Sequence, residues 1–330
     1  LIELNEINFD TVSYYINNGK YLPGFKKLID QGVYVTKAEP EYENLEPWVQ
    51  WPSVHTGKKY PEHNIFRLGD FVNSTDEQFF EKVEKAGFSV GAVSPMNASN
   101  NLKNPAYFIP DPWTKTPSDG SFFSQRISNA ISQAVNDNSS SKLTFKTIFN
   151  LSLAFIVLVN PIRYFSLIKY AFRSLGKPWR RALFLDMFLY EIHKTLVNRK
   201  KPNFTVLFLN AGAHIQHRYF YNSSYINSSN LQNPTWYIGS KEDPMLEMLK
   251  IYDEILIDIL SQADAEFILA TGLSQKPFEQ IKYYYRLKDH HEFLNSVGIK
   301  FRSLLPRMTR DFLVSFDTVD QAAVAEKQLL

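Results

Sequence analysis

From Phe204 to Leu209 the chain reads Phe-Thr-Val-Leu-Phe-Leu, an apolar run broken only by Thr205. A strand with so little alternation has to be covered on both faces, which is the condition of a central strand in a parallel sheet with helices above and below it. Leu1 to Leu4, Phe88 to Val93 and Phe267 to Ala270 are further candidate strands, and helical patterns separate them. The expected class is therefore α/β, with a mostly parallel central sheet flanked by helices. At 330 residues and 44% hydrophobic content the chain can build one elaborated core.

The remaining pattern fills in this frame. Helices are expected over Asp10 to Asn18, Pro23 to Gln31, Trp48 to His55, Glu77 to Lys85, Phe122 to Val135, Met245 to Leu260, Asp289 to Ser296, and in the Ala-rich stretch ending at Leu330. Val33 to Ala38 and Phe312 to Phe316 alternate as strands. Residues 95 to 120 carry five prolines and predict a long surface loop, and 137 to 141 a polar break. In such folds the sites sit in polar loops at the carboxyl ends of parallel strands. Four loops qualify: after Leu4, around Glu46, after Leu209 and after Ala270.

Charge is unevenly placed. The net charge of +2 is too small to imply a nucleic-acid partner, and none is expected, but residues 142 to 201 hold twelve Lys or Arg against two acids, which leaves an anionic membrane surface open as a partner. Within that segment Thr147 to Ile162 is uncharged for sixteen residues, shorter than a membrane span and interrupted by Asn150, Asn160 and Pro161. It is read as a buried helix, as a helix on a bilayer with Arg163, Lys169, Arg173, Lys177, Arg180 and Arg181 reaching anionic headgroups, or as a span. The expected division is a core of 1–120 and 202–330 with a basic, apolar helical insertion at 121–201. The expected location is cytoplasmic, with attachment to a membrane surface as the open alternative. The absence of cysteine leaves oxygen and imidazole as the only metal ligands.

Trp51-Pro-Ser-Val-His-Thr56-Gly57, followed by Tyr60-Pro-Glu-His63-Asn-Ile65, and the segment from Leu22-Pro23 to Gly32-Val33 carry a resemblance. They resemble the type I phosphodiesterase and nucleotide pyrophosphatase branch of the alkaline phosphatase superfamily, over about residues 1 to 115 and 203 to 330. The resemblance implies an alkaline phosphatase-like core and a two-zinc centre that polarises a phosphoryl group. Its residues are largely replaced here. The Asp ending the family's first strand falls on Asn5, and the Thr or Ser nucleophile on Pro47 beside Glu46. The Asp of the Asp-x-x-x-His loop falls on Asn210, with His214 retained, and the Ser-Asp-His-Gly motif falls on Thr271-Gly272-Leu273-Ser274. A two-zinc centre is not expected, because amides are weak ligands and Gly and Leu offer no side-chain donor.

What remains at those loops is Glu6, Glu46, His214 and His217, with Asn5 and Asn210. Glu6, His214, His217, Asn5 and Asn210 could hold one divalent metal, or the carboxylates and imidazoles could act as acid and base without one. Glu46 is the expected catalytic carboxylate, against the plainer role of a helix N-terminal charge. Gln50 falls where the family places a phosphoryl-binding Asn. Glu3 alternates with Ile2 and Leu4 and is set aside as facing elsewhere; His63 and Trp51 are read as structural. The expectation is a divergent phosphodiesterase- or phosphatase-like hydrolase or transferase acting on a phosphorylated, nucleotide- or glycan-linked small molecule. The alternative is a member without catalysis that binds an anionic ligand or partner.

Overall fold

The computed structural model describes residues 1–37, 39–136, 144–226, 231–262, 265–278, 285, 287–306 and 312–330. In chain order the first elements are β1 (Ile2–Leu4), α1 (Phe9–Asn17), α2 (Pro23–Gln31), α3 (Pro47–Thr56), α4 (Tyr60–His63), α5 (Phe79–Lys85), β2 (Val90–Val93) and β3 (Tyr107–Ile109). Then come α6 (Phe122–Asn136), α7 (Phe145–Leu158), α8 (Pro161–Arg173), α9 (Pro178–Lys200), β4 (Phe204–Leu209), α10 (Ala211–Tyr219), α11 (Pro244–Leu260) and β5 (Leu269–Ala270). The last are α12 (His290–Ser296), β6 (Ser303–Pro306), β7 (Phe312–Ser315) and α13 (Val319–Leu329). Two compact units result, Leu1–Phe278 and Glu279–Leu330. Residues 279–330, placed with the core from sequence, thus gather into a unit of their own.

The large unit is α/β, with five parallel strands in the order β3-β2-β4-β1-β5. The run at Phe204–Leu209 is the central strand, and the side-chain period of two divides its residues between the faces. Leu207 and Leu209 join Ile2, Leu4 and Val93 in the main core beneath α9, α10 and α11. Val206 and Phe208 face the other way, Val206 with Phe80 of α5 and Phe208 with Trp51 of α3. The same alternation puts Glu3 and Asn5 under α3.

Three expectations are corrected. Residues 33–37 are exposed and form no strand; residue 38 lies outside the described residues, as does the polar break at 137–141. The Pro-rich loop contains the buried edge strand β3, bracketed by Pro105 and Pro110, and an edge is where flanking prolines cost no ladder bonds. The segment after Leu209 is the helix α10 and not a loop.

The helices of segment 121–201 pack closely on the rest of the large unit. α9 packs on β2, β4, α10 and α11 and is itself the helical layer on one sheet face. α6 packs on β3, and α7 and α8 lie against α9. The uncharged run is split where Asn160 caps α8, accepting from the Ile162 N–H at 3.1 Å, with Pro161 opening the helix. Among the described residues no helix is long and apolar enough to cross a membrane. The small unit has α12, the antiparallel pair β6–β7, and α13 around a core of Leu294, Ile299 and Ala325.

Candidate functional site

Helix α3 starts at Pro47, whose missing N–H costs nothing in a first turn, and ends at Gly57 with φ of 71°, a left-handed cap. Pro52 inside it cannot bond the Trp48 carbonyl, and Asn97 Nδ2 donates to that oxygen instead at 2.7 Å. Trp51 and His55, four residues apart, face the sheet. His55 Nε2 lies 2.9 Å from Glu3 Oε1 in full burial, which accounts for Glu3 as a support under α3.

Trp51 meets the first strand end. Its Nε1–H donates to Asn5 Oδ1 at 2.8 Å, and Asn5 Nδ2 donates to Asn210 Oδ1 at 2.8 Å. Asn5 and Asn210 are therefore brought together, but the Asn5 oxygen that would ligate a cation is bound to the indole. The Trp51 ring also lies on Gly272, where an added Cβ would stand 2.8 Å from it; with φ of 70° that position suits glycine alone. The indole thus fills the space in front of the third strand end.

Glu6 turns the chain out of β1 with φ of 61°, an uncommon conformation for a non-glycine residue. It is pinned on both sides. Its N–H donates to the Thr271 carbonyl at 3.0 Å, and its own carbonyl accepts from Gln216 Nε2 at 2.7 Å. The buried carboxylate reaches His217 Nε2 at 3.1 Å and accepts from Gln275 Nε2. Gln216 and Gln275 were missed from sequence, since no spacing or chemistry marks a glutamine as a positioning residue.

His214 and His217 share α10, whose first amides, those of Asn210 and Ala211, donate to the buried Asp186 of α9 at 3.3 and 2.8 Å. Tyr252 donates to the same carboxylate at 2.6 Å and accepts from the Gly212 N–H at 2.8 Å. Burial pushes Asp186 up to about 6. The hydrogen bond and charge of Glu6 raise His217 above the ordinary imidazole range. Burial, then the charges of Arg218 and His217, push His214 down to about 4 and keep it neutral.

Glu46 is the residue before α3; its side chain makes no capping bond, and it stands at the helix N-terminus, where the dipole favours negative charge. The carboxyl is raised above its ordinary value by partial desolvation first, then by the negative charge of Glu6, against an opposing pull from His217. Glu46, Glu6 and His217 thus share one electrostatic field. Gln50 is not turned to it through its amide group, because Gln50 Nε2 donates to the Asn44 carbonyl at 2.8 Å. His63 is structural: its Nδ1 accepts from the Ile65 N–H at 3.0 Å, which leaves Nε2, 2.9 Å from Ser53 Oγ, as the protonated nitrogen in the neutral ring.

The donor set does not suit two zincs. Asn5 is bonded to Trp51 and Asn210, Glu6 to His217 and Gln275, and among the described residues no group of three or more His, Asp or Glu side chains is arranged to hold a metal ion. No family model matches the chain, and no match is found among curated proteins or among solved structures.

Proposed function

We propose that the strand-end site hydrolyses, or transfers from, a phosphorylated small molecule by acid–base chemistry, with Glu46 as base and His217 as acid. The reading rests on one observation: Glu6 holds and raises His217 at 3.1 Å, and Glu46, raised first by desolvation, is raised further by the charge of the same Glu6. A raised carboxylate is a better base than an unperturbed one, and a raised imidazole keeps its proton to higher pH. In hydrolysis of a phosphodiester, Glu46 takes a proton from water as the new P–O bond forms. His217 gives its proton to the departing oxygen as the old bond breaks, and an acceptor hydroxyl in place of water makes the step a transfer. The resemblance to type I phosphodiesterases supports the phosphoryl substrate, of a nucleotide- or glycan-linked kind.

Turnover of bis-p-nitrophenyl phosphate by protein purified without chelator tests this. Glu46→Gln and His217→Gln should each lower kcat by about a hundredfold or more, and equal rates in wild type and both variants would sink the assignment. A second reading, a phosphate-ligand binder without turnover, is favoured by the Asn5 oxygen being bonded to Trp51. It predicts calorimetric binding of a sugar phosphate with no hydrolysis at any pH.

A further inference from the structure

The outer faces of α7 and α8 are apolar where a surface helix is ordinarily polar. In α7 the buried residues Thr147, Asn150, Ala154 and Leu158 mark one stripe, and at 100° per residue Phe145, Phe149 and Ile156 lie opposite it. Phe145 is 93% exposed and Phe149 62%. In α8 Leu167 is buried, while Ile162, Phe165 and Phe172 fall on the far side at 86, 78 and 70% exposure. Both helices pack on α9, which packs on the sheet, so the two apolar faces turn away from the sheet together.

Charge decides what covers this face. Residues 144 to 185 contain seven Lys or Arg and no Asp or Glu. Arg163, Lys177 and Arg180 are paired with Glu191, Glu242 and Glu247 from other segments. Lys146, Lys169 and Arg173, exposed beside the bare phenylalanines, have no carboxylate partner among the described residues. A second copy of the chain would bring this positive surface against itself, and an acid-rich protein groove would leave the phenylalanines to be matched separately. An anionic bilayer answers both features at once, its acyl boundary taking the aromatic rings and its headgroups the ammonium and guanidinium groups. A depression between α7 and α9, lined by Ile156, Asn160, Asn198 and Arg199, adds polar donors next to the apolar face.

We infer that α7 and α8 lie in the interface of an anionic lipid bilayer, holding the large unit to a membrane surface without crossing it. The inference is independent of the proposed hydrolysis. Co-sedimentation of the full chain with vesicles of phosphatidylcholine, and of phosphatidylcholine mixed with phosphatidylglycerol, tests it. Wild type should pellet with the anionic vesicles at low salt, weaken as salt screens the headgroups, and stay in the supernatant with neutral ones. The pairs K169E/R173E and F149S/F165S alter exposed side chains only, so their circular dichroism should match wild type while vesicle affinity falls about tenfold or more. Failure to pellet, or pelleting that neither pair weakens, overturns the inference. So does a concentration-dependent dimer in sedimentation equilibrium that F149S/F165S abolishes, which would assign the face to a second copy.

Discussion

At the scale of single residues the site is defined by what Trp51 and Glu6 each hold in place. Trp51 is fully buried, bonds Asn5, and lies edge-on to Phe208 with ring centroids 5.4 Å apart. Trp51→Phe removes the N–H and leaves Asn5 Oδ1 buried without that donor beside a small cavity. The expected loss is about 2–4 kcal/mol in urea unfolding, and an unchanged midpoint would contradict the contact. Glu6 acts on charge. Because its hydrogen bond raises His217, the pair's contribution is complete below the unfolded imidazole value and disappears as pH climbs through the raised folded one. Glu6→Gln should therefore return the His217 titration downward toward about 6.5 in NMR; a titration identical to wild type would show that Glu6 is not its cause.

At the scale of elements α10 is the instructive case. Its start could not be seen in Asn210-Ala-Gly-Ala, since the carboxylate that satisfies its first amides is Asp186, 24 residues earlier on α9. Local capping signals report only local caps. The edge strand β3 was equally hidden, three residues between two prolines in a stretch dominated by turn formers. The Asp186 arrangement carries a pH dependence whose sign follows from burial. A carboxyl raised from 3.8 to about 6 in the fold keeps its proton where the unfolded chain has lost it. Stability from this group therefore falls as pH rises through that window, by about 3 kcal/mol in all. Urea melts of wild type and Asp186→Asn, taken at several pH values, should give a difference that moves against wild type between roughly pH 4 and 6. A difference that is flat with pH would mean that Asp186 is ionised throughout.

At the scale of the whole molecule, the sheet was legible because its central strand is an apolar hexapeptide with polar residues at both ends, and because Gly57 and Pro47 punctuate α3 from within its own sequence. The partition was less legible, because composition separates segments by charge and not by what they cover. Residues 121 to 201 look foreign in their basic excess, yet α9 within them covers β2 and β4, with Leu183, Ile192 and Leu196 in the main core. Joining residue 120 to residue 202 should then uncover Val93, Leu207 and Leu209 and expose Asn210 and Ala211 without their Asp186 acceptor. A chain so shortened should show no cooperative urea transition and should bind a hydrophobic dye in the absence of denaturant. A shortened chain that keeps a sharp transition would demonstrate that the sheet folds without α9 and that the segment is a true insertion. Serine substitutions confined to the outer faces of α7 and α8 should leave the transition in place, because the side chains they replace contribute little to the core.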